Sequence, residues 1–389
     1  MPYDPTICDL CGCSEYSVLL DLSTGRSMSS DRKIVSRNLK KYVCERCAFV
    51  RSGDHFCDEE LQDYYIHDYT LSVQSEHYFY TSQGPISRSK ILCDWIISAM
   101  GEHYWRAASH CLEIGAGAGM LMQEFIKRFP DTSFEGIELN CDAAAIARVQ
   151  GLPVYQGTFS NLKRQDYDVA YAVGVIEHVS SPTKFIREIR NRLKPGGWLF
   201  LCQPTQDVPS YDLFFFDNLH HFGGEHLGRY AQKCGFRERG AVVGHEWMPN
   251  FSLHLWQKIE QPDDFAWAGP PGFTTCPSTA RNIVADMDRL DETLMQLEAS
   301  NRSVAVFGLG EVYCLVRAYS ALGNFPIVCG LEDQPNKPEF EKLGFPVLAP
   351  EDCSSLDIQD VILTMNKVYY DQASERLKRL GLCTHKVLS

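Results

Sequence analysis

Short apolar runs alternate with amphipathic stretches over the middle of the chain, and this alternation predicts a repeated strand–helix unit. The apolar runs have the length of buried strands. The predicted strands lie at residues 111–114, 133–138, near 154, 167–173 and 198–202, and the predicted helices at 121–129, 142–150, 182–193 and 227–234. This order is typical of a doubly wound α/β domain, in which parallel strands carry helices on both faces of the sheet.

A second α/β unit is predicted at the C-terminal end of the chain. Its expected elements, in order, are an apolar strand from residue 303, a glycine turn to 310, a helix at 312–321 and strands at 327–331, 345–348 and 360–363. Tyr313 stands where a dinucleotide-binding fingerprint has its third glycine. We therefore expect a degenerate Rossmann-like domain that binds a nucleotide-sugar or only scaffolds, and not a second redox site.

The stretch between the two predicted units begins with a proline- and glycine-rich loop at 261–278 and continues as an amphipathic helix. Apolar residues recur along one stripe of this helix at spacings of four and three, namely Ile283, Met287, Leu290, Leu294 and Leu297. Such a stripe is more often core packing than the seam of a coiled-coil dimer, and we predict core packing.

Composition and charge exclude several classes of protein. The 389 residues are 44% hydrophobic and 22% charged, which is ordinary for a globular chain and unlike a disordered one. The net charge of -13 lacks the basic surplus that nucleic-acid binding usually requires. No apolar stretch approaches the roughly 20 residues that span a membrane, and the first residues lack a secretory pattern. We therefore expect a cytoplasmic protein without a nucleic-acid or membrane partner.

Two pairs of cysteines near the N-terminus have the spacing of metal-binding knuckles. The sixteen cysteines of a chain without a secretory pattern are expected to be reduced, as buried thiols or metal ligands. The four residues of the two pairs are Cys8, Cys11, Cys44 and Cys47, with Cys13 and Cys57 as further candidates. Two residues between paired thiolates predict a tetrahedral zinc site, and four thiolates leave no open position for catalysis. A structural Zn²⁺ would stabilise a segment that is too poor in large apolar residues for its own core.

A glycine-rich turn follows the first predicted strand of the central unit. The sequence Glu113-Ile-Gly-Ala-Gly-Ala-Gly119 provides the sharp turn and the close backbone approach that a bound nucleotide requires. The next predicted strand ends in Glu138, 19 residues beyond Gly119. An acid at this position meets the hydroxyls of a ribose in nucleotide-binding α/β folds.

Together with two later segments, this pattern resembles the class I S-adenosylmethionine-dependent methyltransferases. The segments that carry the resemblance, over about residues 85–240, are the glycine turn, Glu138, Gly174-Val-Ile-Glu-His-Val179 and Leu193-Lys-Pro-Gly-Gly197. A dinucleotide dehydrogenase would share the turn and the acid but not the two later segments. The resemblance therefore implies S-adenosylmethionine as methyl donor.

The same resemblance implies which residues surround the methyl donor. Gly115 and Gly117 would pass its methionine part, and Glu138 would take its ribose. The turn Gly157-Thr158-Phe159 would border the adenine through backbone groups, because it lacks the Asp or Asn that is frequent there in the family. The complete implied set is Glu113, Gly115, Ala116, Gly117, Glu138, Leu139, Gly157, Thr158, Phe159, Val173, Gly174 and His178. His178 is expected to begin a helix beside the donor and not to act as the base.

An aromatic and histidine-rich segment, 211–222, is the predicted acceptor site. In the resembling fold the segment after the fifth strand commonly covers the acceptor, and the alternative is a hydrophobic core turn with two surface histidines. His220 or His221 is the predicted general base, because imidazole titrates near neutrality. Tyr78 and Tyr80 are candidate orienting or acidic partners, in a polar-aromatic cluster that can stack on a sugar or base or pack the zinc segment onto the central domain.

The order of modules resembles the zinc-containing nucleotide-diphosphate sugar C-methyltransferases over nearly the whole chain. The predicted domains are a zinc-binding module at 1–70, a methyltransferase domain at 71–258, a linker and helix at 259–300 and a C-terminal Rossmann-like domain at 301–389. Asp217-Asn218 stands where that family has the Glu-His pair of its base. The resemblance implies a nucleotide-linked sugar as substrate, in sugar, natural-product or polysaccharide biosynthesis. An O- or N-methyltransferase of another small metabolite and a non-catalytic donor-binding module stay open as alternatives.

Overall fold

The computed structural model describes residues 6–53, 58–73, 76–81, 84–260 and 276–388. Contacts between residues divide the chain into two compact units. Unit one comprises Met1–Leu19, Lys41–Leu213 and Asp217–Cys276, and unit two comprises Leu20–Lys40, Phe214–Phe216 and Pro277–Ser389. The units are interleaved along the chain, whereas the four predicted domains are consecutive stretches, and those boundaries stay a prediction.

The regular elements are numbered in chain order. The strands are β1 (Tyr16–Leu22), β2 (Ser27–Met28), β3 (Ile34–Val35), β4 (Leu39–Cys44), β5 (Val50–Ser52), β6 (Tyr78–Thr81), β7 (Gly84–Ser87), β8 (His110–Ile114), β9 (Ser133–Glu138), β10 (Val154–Gln156), β11 (Tyr167–Val173), β12 (Leu193–Pro204), β13 (His220–His221), β14 (Phe236–His245), β15 (Met248–Lys258), β16 (Val304–Phe307), β17 (Cys329–Leu331), β18 (Val347–Leu348), β19 (Asp360–Leu363) and β20 (Cys383–Lys386). The α-helices are α1 (Asp58–Asp63), α2 (Arg88–Met100), α3 (Glu102–Ala107), α4 (Met120–Arg128), α5 (Cys141–Val149), α6 (Pro182–Arg192), α7 (Gly224–Lys233), α8 (Cys276–Ala299), α9 (Glu311–Tyr319) and α10 (Tyr370–Arg379).

Unit one is built on a sheet of order β10-β9-β8-β11-β12-β15-β14. The first five strands are parallel, and β15 lies antiparallel to both of its neighbours. Helices α4, α5 and α6 connect the parallel strands along the chain. The predicted doubly wound α/β core is therefore confirmed, and the bounds of β9 and β11 agree with the predicted strands.

Both faces of the central parallel strands of this sheet are buried. Leu112 and Ala170 belong to one apolar cluster, whereas their neighbours Cys111, Val169 and Tyr171 belong to the cluster on the other face. Strands that are covered on both faces are apolar at nearly every position. This double burial explains why the sequence shows continuous apolar runs here and not an alternation of apolar and polar residues.

The edge of the sheet beyond β11 differs from the sequence-based expectation. β12 begins at Leu193, before the start predicted at residue 198, and the hairpin of β14 and β15 was not predicted at all. β14 is exposed over most of its length because it is an edge strand. It therefore lacks the periodic apolar positions from which a strand is recognised.

A smaller sheet has the order β1-β4-β5-β13. It joins strands from the N-terminal segment to the short strand of the predicted acceptor segment. β5 and β13 are antiparallel, with Val50 opposite His221 and Arg51 opposite His220.

Unit two contains a parallel sheet of order β18-β17-β16-β19-β20, which confirms the predicted C-terminal α/β fold. The apolar stripe of α8 is buried at every predicted position, so it is core packing. The hairpin β2–β3 belongs to the same unit, where the Met28 amide donates to the Tyr319 hydroxyl over 3.1 Å. The predicted loop at 261–278 lies largely outside the described residues. Within the described ranges, no helix combines the length and apolarity needed to cross a bilayer.

Candidate functional site

Two identical backbone turns bring the four predicted metal ligands together. In one turn the Gly12 amide donates to the Cys8 carbonyl, and in the other the Ala48 amide donates to the Cys44 carbonyl, each over 2.8 Å. Gly12 and Ala48 both have a positive φ, 72° and 54°, which these turns require. The sulfurs of Cys8, Cys11, Cys44 and Cys47 all lie within 4.8 Å of one another. Cys13 bonds to Glu15 instead, and Cys57 lies outside the described residues.

The cysteine cluster is packed against the predicted acceptor segment. His226 places Nε2 3.1 Å from the Cys47 carbonyl, and the Phe49 ring stacks on His220 at 5.7 Å between centroids. Asp9, inside the first knuckle, accepts the Thr183 amide at 2.8 Å and so caps the start of α6. The knuckle segments therefore contact β13 and the start of α6.

The turn after β8 is closed by the acid at the end of β9. Oε2 of Glu138 accepts the Gly117 amide at 2.7 Å, and Oε1 accepts the Asn140 amide at 2.8 Å. Gly115 has φ +71°, and a side chain there would come within 2.5 Å of Val175. Burial raises the pKa of Glu138 above its usual value. Three predicted donor-binding residues, Gly115, Gly117 and Glu138, are thus brought together.

Other predicted donor-binding residues lie in the turns after β10 and β11, at the end of β9 and within β8. The Gly157 amide donates to the Glu138 carbonyl, and the Gly174 amide donates to Cys202, so both turns lie at the carboxyl ends of sheet strands. Leu139 contributes its carbonyl to Gln156. Glu113 lies within the sheet, where its carboxyl accepts the Tyr171 hydroxyl at 3.2 Å and burial raises its pKa to about 8.

The turn predicted to border adenine contains a side chain that the sequence reading overlooked. Oδ1 of Asn161 accepts the Thr158 amide at 3.0 Å. The Phe159 side chain is buried, and its carbonyl accepts the Arg192 guanidinium. An Asn three residues after Thr158 is a recognisable capping signal, which could have identified this interaction.

Residues 64–73 lie against the same turns. The Asn140 side-chain amide donates to the carbonyls of Tyr65, Ile66 and Tyr69, and the Ala118 amide donates to the Ser72 carbonyl at 3.1 Å. The rings of Tyr65 and Tyr69 pack on His178 at 5.3 and 5.9 Å. These aromatic residues therefore adjoin the glycine turn and His178.

The two histidines of β13 face opposite sides of their strand. His220 lies on Phe49, with Nε2 3.2 Å from the Ser180 carbonyl, and burial lowers its pKa to about 4. His221 places Nδ1 2.6 Å from Oδ2 of Asp212, and its buried Nε2 has no hydrogen-bond partner within the described part of the chain. Asp212 was not singled out by sequence reasoning, because no motif marks it.

A buried carboxyl without a full set of partners lies nearby. Glu177 is 3% exposed, and no described residue forms a hydrogen bond with its Oε2. Burial raises the pKa of Glu177 to about 7. His178 contacts the other oxygen at 4.0 Å, and the Leu219 amide donates to the Glu177 carbonyl. His178 Nδ1 lies 2.9 Å from the Asp217 carbonyl, which also accepts the Tyr65 hydroxyl. Buried hydrogen bonds therefore connect the acceptor segment with the residues that follow β11.

Tyr78 and Tyr80 lie in β6, apart from these contacts. The two residues pair with Ser87 and Pro85 of β7. Tyr78 is 51% exposed, and the side chain of Tyr80 lies outside the described residues.

A family model described as a methyltransferase domain matches residues 87–241. Similar curated proteins include the ubiquinone biosynthesis O-methyltransferases of Paraburkholderia phymatum, 28% identical over 126 residues (30% of this chain, 52% of that protein), and of Caulobacter vibrioides, 27% identical over 186 residues (44% and 64%). The chain thus spans about half the length of the first of these relatives. Among solved structures, the mitomycin 7-O-methyltransferase MmcR is similar over 44% of this chain and 54% of its own, with 18% identity and a TM-score of 0.38.

Proposed function

We propose that this chain, whose residues 87–241 form a class I S-adenosylmethionine-dependent methyltransferase domain, transfers a methyl group to a nucleotide-linked sugar or a related small polar acceptor. The observation that carries the proposal is the closure of the glycine turn on Glu138, whose carboxylate lies at the carboxyl end of β9. In open α/β sheets, ligands bind outside the carboxyl ends of the strands.

The residues around this turn fit S-adenosylmethionine. Each oxygen of Glu138 accepts one backbone amide and has a further lone pair for a ribose hydroxyl. Gly115 has a positive φ of 71°, a backbone conformation that residues with a side chain rarely adopt. When bound, S-adenosylmethionine supplies a methyl group activated by a positively charged sulfur. The chain's own task is then largely to hold an acceptor atom in line with that methyl group.

His221 is the proposed general base. It lies in the predicted acceptor segment, and the carboxylate of Asp212 orients its ring, whereas the ring of His220 meets the Ser180 carbonyl and stacks on Phe49. Each of the two rings has one buried nitrogen without a hydrogen-bond partner among the described residues. An oxygen or carbon acceptor must lose a proton during transfer, and an imidazole can take it. Glu177 and His178 adjoin the segment and are proposed to contact the acceptor's polar groups.

The four-cysteine cluster is proposed to hold one structural Zn²⁺. Four sulfurs within 4.8 Å of one another match the donor set of a closed tetrahedral site. The metal would stabilise the knuckles and the sheet that carries β13, and it would not touch the acceptor.

Two observations favour different acceptors. The order of zinc module, methyltransferase domain and C-terminal α/β unit supports a nucleotide-linked sugar, whereas the similarity to ubiquinone biosynthesis O-methyltransferases supports oxygen methylation of another metabolite. Incubation with S-adenosylmethionine and a panel of sugar nucleotides, followed by mass and NMR analysis of the products, separates them. A sugar nucleotide heavier by one methyl group is expected. Stoichiometric donor binding without turnover on any sugar or phenol would contradict an enzymatic role.

A further inference from the structure

On the basis of the proposed methyl transfer, we infer that Asp212 is a positioning residue for the base. It fixes the imidazole of His221 with the proton on Nδ1, so that Nε2 is free to take the proton of the acceptor. The inference concerns a residue that no sequence motif marks.

The hydrogen bonds around Asp212 set the orientation of the ring. Nδ1 of His221 lies 2.6 Å from Oδ2, and a carboxylate can only accept, so Nδ1 must carry the proton. The side-chain amides of Asn218 and Gln206 also donate to this carboxylate. Burial alone would raise the pKa of Asp212, but the attraction of His221 and these hydrogen bonds lower it below its usual value. The ionised form is therefore the one present near neutral pH.

The other ring nitrogen indicates a ligand. Nε2 of His221 is fully buried and has no partner among the described residues, although a buried polar atom normally forms a hydrogen bond. The ring itself is held by the pairing of β13 with β5 and by the bond to Asp212. An orphaned acceptor on a fixed ring is suited to receive an O–H or acidic C–H proton.

Asp212, Lys41 and His178 act electrostatically on His221, and the adjacent His220 interacts with it in the same way. Burial lowers the pKa of His221. Lys41 and His178 lower this pKa further, whereas Asp212 raises it. The net direction is downward, so the ring is neutral and able to accept a proton near pH 7. Lys41 is itself bonded to the Asn218 carbonyl at 2.8 Å, which fixes its position.

A series of hydrogen bonds links the end of β9 to the carbonyl of Asp217 in the acceptor segment. Asn140 bonds to Glu138 through its amide and to the Tyr65 carbonyl through its side chain, and the Tyr65 hydroxyl donates to the Asp217 carbonyl. His178, which contacts that same carbonyl, lies within electrostatic range of His221. In the transfer step, Nε2 takes the proton of the acceptor as the acceptor–methyl bond forms. The methyl–sulfur bond breaks and leaves its electron pair on the sulfur.

The decisive experiment combines kinetics with a measurement that needs no turnover. In Asp212→Asn, kcat is expected to fall about 100-fold, the scale of lost general-base assistance, with an unchanged dissociation constant for S-adenosylmethionine. The acid limb of its kcat–pH profile should also move to lower pH, because the charge that raises the pKa of His221 is gone. Asp207→Asn is the matched control: Asp207 accepts the Gly224 amide and the Thr205 hydroxyl but bonds to no histidine, so kcat should be retained.

Imidazole ¹⁵N NMR of the wild-type protein, assigned by comparison with His221→Gln, should show Nδ1 protonated and Nε2 unprotonated. A protonated Nε2 at neutral pH in an active wild-type enzyme would overturn the inference about Asp212 but not the proposed methyl transfer. An Asp212→Asn enzyme with the kcat and the kcat–pH profile of the wild type would have the same consequence. If Asp212→Asn does not fold, the wild-type spectrum decides. Failure of the wild-type protein to methylate any acceptor would instead contradict the proposed function.

Discussion

The amide of Gly117 donates a 2.7 Å hydrogen bond to Oε2 of Glu138, and this bond ties the turn after β8 to the end of β9. The carboxylate of Glu138 therefore stabilises the glycine turn, and its remaining lone pairs are proposed to accept hydrogen bonds from the hydroxyls of a ribose. Replacement of this residue tests the donor site.

For Glu138→Ala, we expect S-adenosylmethionine affinity to fall by roughly 1–3 kcal/mol, the range for a lost hydrogen bond to a charged group. Isothermal titration calorimetry measures the change. Glu135→Ala is a suitable control, because Glu135 lies on the same strand and bonds to the Tyr167 hydroxyl instead of the turn. Equal affinity of the Glu138 variant and the wild type would refute the assignment, and preferential binding of NAD would refute the class.

The cysteine cluster is expected to bind one zinc ion per chain. Cys44→Ser removes one of four ligands and should abolish stoichiometric zinc and lower the thermal midpoint, because metal binding and folding are coupled at such sites. Cys383→Ser, at an exposed thiol outside the cluster, should do neither. Elemental analysis of freshly purified protein gives the metal content, and a metal-free wild type would argue against the site.

The two histidines of β13 should differ in effect. His221→Gln is expected to lower turnover about 100-fold or more with little change in donor affinity, which is the usual scale for loss of a general base. His220→Gln, the neighbouring buried imidazole on the other face of the strand, should mainly lower stability because it packs on Phe49. Steady-state kinetics and thermal melts measure both effects. If His220→Gln loses turnover and His221→Gln does not, His220 is the base and His221 is not.

Glu113 should make stability depend on pH. Its pKa of about 8 in the folded state, raised by burial, lies above the usual 4.5 of the unfolded chain, so the folded state holds an extra proton between these values. The stability that Glu113 contributes is fully present below pH 4.5 and is lost as the pH rises to 8, and the total loss is about 5 kcal/mol. Glu113→Gln keeps the acceptor for Tyr171, so its unfolding free energy, relative to wild type, should rise between pH 5 and pH 9. Parallel changes in both proteins would show that Glu113 does not titrate in this range.

Local sequence patterns predicted the parallel strands of the central sheet, because strands buried on both faces are continuous apolar runs and the turns after them contain glycines. The bounds of β9 and β11 and the cysteine knuckles follow from such short-range signals. β14 was missed because an exposed edge strand carries no apolar period.

The partners of the acceptor residues depend on distant chain segments. Asp212 meets His221 only because the segment between them folds back. The interleaving of Leu20–Lys40 with Pro277–Ser389 in unit two is equally non-local. Spacing along a sequence contains no signal for contacts of this kind.

The pairing of β5 with β13 has a consequence for how the protein is made. A chain synthesised from its N-terminus completes the knuckles and β5 long before residues 220–221 exist. Until then β5 is an open sheet edge, and such edges are sites of mispairing with other chains. Closing so long a loop is slow, so the strand that carries His221 joins its sheet late in folding. The lifetime of that open edge on the ribosome therefore depends on how quickly the intervening α/β core is synthesised and folds.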